Sequence, residues 1–574
     1  DATVANPLAG QYGWNYHNTA GGRISAKWTP FDGFSALLSY DNAKDENTPN
    51  YSQLINFNPL GKVVGQYDPV TLKLVAPGSP VGTSIVCTTC IAPLSPLVQV
   101  HSDRQNVAEI GVPQQLSIDK THGFGATLKY KVSPGLELRS ITGWRSVETE
   151  QWDNSGGQHR TIFAPNANFS RYSLSYLTQD QFSQELQAVG SADKLDYVVG
   201  LYYFNEHVRE FAATPSTNKW NATGTGYTIN DANTWNMNNW VRQRDSQAIA
   251  KSYAAFAQAT FSPTDQIHIT AGGRYTKDKR DGMLTMVQGK VAAFPFTFDK
   301  GRFDPMVTLA FDAADGVNFY AKYSTGYRAG GANSRSQTFA PFNPEVVKAW
   351  EAGAKLDMFD RRVRLNLAAY LMDRTGTQID FDNVDTVPTS PTFNLHTEET
   401  ANAPGKSKIR GFEAELTVRP VENLTMGASY AYTYTKVPDT LNPFLSTPAK
   451  PVYTSVFVVY TPRNAASGYI DYELPVGSGD TKVKLHLDAN YSSSAYSFQN
   501  EAVKNEANFI VNGRLALADI GLGDRQKLTL SAWARNLLNE THYYRRSNAN
   551  DGVLGSYANF NPPRTFGFEA SINF

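Results

Sequence analysis

Over most of its length this chain alternates apolar and polar residues with a period of two, and no other property limits so tightly what it can fold into. In a β-strand successive side chains point to opposite faces, so each such segment presents one apolar and one polar face. Val363, Leu365, Leu367, Ala369 and Leu371 share a face, against Arg362, Arg364, Asn366 and Tyr370. Val483, Leu485, Leu487, Ala489 and Tyr491 alternate with Lys482, Lys484, His486, Asp488, Asn490 and Ser492. The pattern recurs from Phe124 to Val132 and from Leu528 to Arg535. At the end of the chain Phe566, Phe568, Ala570, Ile572 and Phe574 oppose Thr565, Glu569, Ser571 and Asn573.

A soluble β-sandwich alternates as well, but three features favour strands with lipid outside and water inside. Aromatics flank the apolar runs, as Tyr253 and Phe261 flank Ala255, Ala257 and Ala259. Tight turns such as Ser133-Pro134-Gly135, Ala192-Asp193-Lys194, Ser262 to Asp265, Ala313 to Gly316, Phe359-Asp360-Arg361 and Gly521 to Asp524 alternate with long polar stretches. Those stretches run over 59–104, 152–174, 214–246, 381–403 and 544–562. The terminal Phe574 resembles the aromatic insertion signal of outer-membrane proteins. The expected fold is all-β: a transmembrane, antiparallel, up-and-down β-barrel.

The 574 residues exceed the roughly 250 to 300 at which single cores stop growing, yet no linker or charge block divides them. No run approaches the roughly 20 apolar residues of a transmembrane helix. A mean hydropathy of −0.40 suits strands that are apolar on one face only. A net charge of −1 gives no basic field, so nucleic acid is not an expected partner. Residues Asp1 to Asn6 carry neither the basic nor the apolar stretch of a signal peptide, so any leader is expected to be already removed. Cys87 and Cys90, the only cysteines, read as a small loop disulfide. The rival redox reading lacks the helix start in a βαβ setting that lowers a thiol pKa.

About nineteen strands can be traced, the first from near Thr19. An open edge in lipid leaves backbone groups unpaired, and single-chain bacterial barrels normally have an even number of strands. Strands are therefore expected to be missing from the N-terminal side of this chain, and three of them would give the 22 expected of a large plugged barrel.

Several segments, in order, resemble the TonB-dependent outer-membrane receptor family. They are Gly326-Tyr327-Arg328-Ala329-Gly330-Gly331-Ala332-Asn333, Phe342-Asn343-Pro344-Glu345 and Trp350-Glu351-Ala352-Gly353-Ala354-Lys355, then Ile409 to Glu415 with Gly411 and Glu413, then Arg535-Asn536-Leu537-Leu538. The resemblance implies that residues 1–574 form a receptor barrel, with the N-terminal plug domain and first strands lying elsewhere. It further implies a receptor in the outer membrane of a Gram-negative bacterium that imports a scarce or large nutrient, such as a ferric siderophore. Its expected partners are the TonB-ExbB-ExbD complex, reached through the N-terminal part, the lipids of the outer membrane and a small-molecule ligand. It is expected to act as a monomer without a cofactor.

Candidate ligand contacts are the loop aromatics Trp152, Trp220, Tyr227, Trp235 and Trp240, set among amides that suit a flat organic ligand. The alternative is that these rings pack the loops together. Glu345, Glu351, Lys355, Glu413 and Glu415 fit a lumen-facing charge ladder better than acid–base pairs. Gly330-Gly331 precedes no helix and so makes no phosphate loop. The nine histidines form no metal-ligand motif, and Asp278 to Asp281 lacks the alternating carboxylates of a calcium loop. No catalytic residue and no metal site is expected. A passive, substrate-specific porin remains the alternative function, and an outer-membrane enzyme or adhesin the more distant one.

Overall fold

The computed structural model describes residues 2–60, 65–67, 85–87, 94–153, 163, 165–231, 242–384, 396–477, 479–523, 526–548 and 554–573. Nineteen long strands form one antiparallel sheet in which each pairs with its neighbours in sequence. The first ten are β1 (His17–Trp28), β2 (Phe34–Asn47), β3 (Ser117–Ser133), β4 (Leu136–Asp153), β5 (Ser173–Ala192), β6 (Leu195–Ala213), β7 (Arg244–Phe261), β8 (Ile267–Val287), β9 (Lys290–Ala314) and β10 (Val317–Arg328). The remainder are β11 (Glu345–Met358), β12 (Val363–Thr375), β13 (Lys406–Val421), β14 (Leu424–Lys436), β15 (Asn464–Pro475), β16 (Lys482–Ser492), β17 (Asn508–Gly521), β18 (Lys527–Arg535) and β19 (Thr565–Asn573). The up-and-down topology and the nineteen strands agree with the sequence reading, and β1 starts two residues before Thr19. The described residues contain no helix.

Alternation places the apolar faces on the outside. Leu367 and Leu371, Phe566 and Phe568, and Phe124, Leu128, Tyr130 and Val132 are all exposed. Their polar alternates bond to one another across the inner face. Tyr320 Oη donates to Glu351 at 2.8 Å, His486 Nδ1 lies 2.7 Å from Asp471, and Arg514 reaches Glu569 at 3.1 Å. Exposed large hydrophobics in such ordered rows suit a hydrocarbon solvent and not water.

The short turns gather on one rim and the long connections on the other. At the turn rim Gly316 takes φ +74°, and a Cβ there would meet the Asp357 carbonyl oxygen at 2.8 Å. One connection departs from the sequence reading. β8 and β9, of 21 and 25 residues, continue beyond their neighbours and close through Gln288 and Gly289, a tight turn on the long-loop rim.

β1 and β19 share no ladder. Both run from the long-loop rim toward the turn rim, so they cannot pair antiparallel. The sheet is nevertheless rolled far enough for the loops beside them to meet. Gln53–Leu54 pairs with Tyr557–Phe560, Asn559 Nδ2 donates to the Tyr51 carbonyl at 2.7 Å, and Arg104 donates to the Asn561 carbonyl at 2.9 Å.

Candidate ligand-receiving face

The long loops build a folded layer over one mouth of the sheet. In one part Ile110, Phe169 and Trp220 form a buried cluster that also draws in Leu97, Phe163 and Tyr227. Trp220 stacks on Phe169 with centroids 3.7 Å apart, and Asn218 Nδ2 donates to the Gly111 carbonyl at 3.0 Å. Three loops separated by tens of residues are thus held by one aromatic core. Beside it, Trp152 packs with Tyr172 and Leu174, and its Nε1 donates to Glu150 at 2.9 Å. Burial raises the pKa of the Tyr172 hydroxyl far above the usual phenol range, while its oxygen accepts the Gln115 N–H at 3.0 Å.

Of the loop aromatics proposed as ligand contacts, Trp152 and Trp220 are therefore buried in packing. Tyr227 is half-buried, and its oxygen accepts the Gly111 N–H at 3.0 Å. Trp235 and Trp240 lie outside the described residues, as do Cys90 and Phe574. The Cys87–Cys90 pair therefore cannot be placed.

The segments that carry the family resemblance organise a second part of the layer. Gly326 and Arg328 lie in the upper end of β10, and Gly331 pairs with Phe342 in a two-residue bridge. Gly330 is buried, and its carbonyl accepts from Arg280 at 3.0 Å. A Cβ at Gly330 would meet the Phe342 carbonyl oxygen at 2.2 Å, so a glycine is needed for this close approach. Asn333 Nδ2 reaches Thr400 at 3.3 Å, and Arg335 pairs with Glu398. Just past Pro344, the Glu345 carboxylate accepts the Gln378 N–H at 3.0 Å and lies 3.5 Å from Arg374. Gln378 in turn donates to the Ala329 and Asn343 carbonyls, both at 3.1 Å. The loop 329–344 is thereby tied to the loop 376–405.

The rest of the motif is structural too. Glu351, Gly353 and Lys355 follow one another on the inner face of β11, and Gly411 and Glu413 on that of β13. A Cβ at Gly411 would meet both the Tyr370 hydroxyl and the Tyr432 carbonyl at 2.4 Å. Asn536, buried at φ +50°, donates to the Glu540 carbonyl at 2.8 Å and to the Pro562 carbonyl at 3.3 Å, and accepts the Glu540 N–H at 2.8 Å. It closes the loop 536–564 at both ends.

The sequence reading missed a set of cations seated on rings in the loops 493–507 and 536–564. Arg545 lies 4.7 Å over Phe498, Lys504 lies 4.8 Å over Tyr496 and Arg546 lies 5.7 Å over Tyr543. Tyr496 also stacks on Phe457 at 4.0 Å. The run Tyr543-Tyr544-Arg545-Arg546 was the visible signal. Near it a cavity of about 610 Å³ is lined by Tyr16, His17, Trp152, Asp153, Tyr544 and Phe560, a size suited to a small organic ligand. A second cavity, of about 700 Å³, lies at the turn rim beside Asp312, Lys355, Asp357 and Arg364. Above it Ser262 Oγ, His268 and Asp312 follow one another at 2.8 and 2.9 Å, with Asn318 donating to Asp312 at 2.7 Å. The carboxylate faces Nε2 and the hydroxyl Nδ1, a polar ladder like the others on the inner face. Among the described residues no three His, Cys, Asp or Glu side chains come together to hold a metal.

Known proteins extend this picture. The ferric-pyoverdine 358 receptor of Pseudomonas putida is 22% identical over 312 residues, which are 54% of this chain and 34% of that protein. The ferric-pyoverdine M114 receptor PbuA of Pseudomonas sp. (strain M114) is 24% identical over 335 residues, which are 56% of this chain and 36% of that protein. The alignments thus span about a third of the length of these relatives. Among solved structures, the ferric yersiniabactin uptake receptor FyuA from Yersinia pestis superposes with a TM-score of 0.69 at 16% identity, over all of this chain and 74% of that one. The siderophore receptor PiuA from Acinetobacter baumannii gives 0.68 at 14%, over 98% of this chain and 75% of that one. At such identities these structures speak for the fold. Residues 98–537 match the family model described as "TonB dependent receptor-like, beta-barrel", and the chain belongs to that family.

Proposed function

We propose that this chain is the barrel of an outer-membrane active-transport receptor that binds a ferric siderophore with its extracellular loops and passes it to the periplasm, energised through TonB and the ExbB-ExbD complex. The observation that carries this reading is a 19-strand sheet, apolar outside and polar inside, matched to the family over residues 98–537, whose long loops, where described, pack into buried clusters over one mouth. Members of the family are transport receptors, and the relatives named above are receptors for siderophores, ferric pyoverdine and ferric yersiniabactin among them. In this reading the ring-seated cations Lys504, Arg545 and Arg546, with Tyr227, Trp235 and Trp240, contact the ligand. Trp152 and Trp220 hold the loops in place.

The same reading gives the complete protein a plug domain and 22 strands. The parallel directions of β1 and β19 support an odd number of further strands, because only an odd number closes an antiparallel barrel. The protein works as a monomer, without a cofactor.

Uptake of ⁵⁵Fe-loaded siderophores into cells whose only such receptor is the full-length protein tests the proposal. Uptake that stops when TonB is deleted or the proton-motive force collapses is the expected result. Flux that persists in proportion to the external concentration would mean a passive, substrate-specific channel instead.

A further inference from the structure

The outward face of β6 to β9 changes character within one step along its strands. Leu201, Ala255, Tyr275 and Phe303 lie level with one another across the ladders. From that row toward the turn rim, down to Phe261 and Phe311, the outward positions hold only apolar, aromatic, glycine or proline residues. One step above, Tyr203, Tyr253, Lys277 and Gly301 stand in a row, and Asn205, Lys251, Lys279 and Asp299 stand in the next. Asp299 pairs with Lys277 and lies 3.5 Å from Lys279. Lys251, exposed, has no carboxylate within ion-pair distance among the described residues. Among the described residues of these four strands the next carboxylate on this face is Asp281, one row higher, with Asp180 level with it on the adjoining β5. Three ammonium groups thus meet one carboxylate directly above the apolar belt.

Given the outer-membrane location proposed above, we infer that Lys251, Lys277 and Lys279 form a binding site for the phosphorylated headgroup of an outer-leaflet lipid. The last apolar row marks the edge of the hydrocarbon, where lysine stems lie along apolar surface and carry their charge to headgroup depth. Basic clusters at that depth attract anionic lipids. The Tyr203 and Tyr253 rings, 5.2 Å apart, form a floor beneath the ammonium groups. An amphipathic lipid covers both features, whereas a free anion covers only the cations.

The test uses the full-length protein in phosphatidylcholine vesicles with or without lipid A, the phosphorylated glycolipid of that leaflet. Bound lipid A is read by native mass spectrometry and the unfolding midpoint is recorded in parallel. The wild type retains lipid A and unfolds at a higher temperature with it. Lys251→Gln/Lys279→Gln loses most of that retention, several-fold, and the temperature shift. Lys290→Gln/Lys194→Gln, an equal charge loss at the hairpin tip and at a turn of the opposite rim, keeps both, and inorganic phosphate does not displace the lipid. Heat-dependent gel mobility confirms that each variant is folded. Equal retention in the double variant and the wild type overturns the proposal, as does displacement by inorganic phosphate alone. Because no siderophore is present, the outcome is independent of the transport reading.

Discussion

The wall and the loop layer above it follow opposite packing rules. The largest fully buried side chains are Trp14, Trp152, Trp220, Tyr172, Phe381, Leu54, Ile110, Leu174, Leu284, Ile379 and Leu554. Every one lies in a long loop, in the segment before β1 or at the long-loop-rim end of a strand. The wall keeps its large apolar groups outside: Phe568 is 85% exposed and Trp350 61%. The difference follows from the solvent. The layer folds in water and gains by removing apolar area from it, at about 25 cal/mol per Å². The wall faces hydrocarbon, where unpaired backbone groups are the main penalty, so it is held by continuous ladders.

If the two regions really are separate, a cavity in the layer should leave the wall untouched. Trp220→Ala empties the ring stacked on Phe169 and is expected to cost about 3–5 kcal/mol. Limited proteolysis should then cut within 94–116, 165–171 or 214–231, while the heat-dependent gel shift of the folded barrel stays at the wild-type temperature. A matching loss of barrel stability would show one cooperative unit. The converse change is Val307→Arg, in the middle of the exposed apolar row of β9. It should destabilise the barrel by about 2–4 kcal/mol in denaturant titrations of reconstituted protein. An unchanged midpoint would mean that this face does not meet lipid.

The same contrast explains what could be read from the sequence. In the wall every strand faces lipid on one side and water on the other, so the rule is local and has period two. Leu367 and Leu371, or Phe566 and Phe568, show their faces without knowledge of any partner. The upper halves of β8 and β9 were missed because their outward positions, Lys279 and Asp299 among them, lie above the apolar belt and lose the pattern. Their closing pair, Gln288 and Gly289, looks like the turns of the opposite rim. In the layer the burial of Trp220 depends on Ile110 and Phe169, far away in sequence, so an aromatic among amides reads alike whether it packs or binds. The family resemblance located Gly330, Asn333 and Glu345, but not their task of tying two loops together.

A smaller effect tests how the layer is anchored to the wall. Asn536→Ala removes a side chain that meets the Glu540 and Pro562 carbonyls and the Glu540 N–H, and leaves those groups to find new partners. The expected cost is about 1–3 kcal/mol, together with faster cleavage within 536–564. A loss confined to the cleavage rate would place Asn536 in the layer. A lowered barrel midpoint would place it in the wall.

The smallest expected effect locates the boundary between the two regions on strands β3 and β4. Lys120 and Glu148 pair at 3.1 Å on β3 and β4, four residues above the exposed Phe124 and Trp144. If the hydrocarbon ends near those rings, the pair is solvated, and Lys120→Ala should change stability by roughly 0–1 kcal/mol, less still at high salt. If the belt reaches higher there, the substitution strands the Glu148 carboxylate in a medium of low dielectric constant and costs several times more. Unfolding midpoints at low and high salt separate the two cases: salt weakens a solvated pair and scarcely affects a buried one.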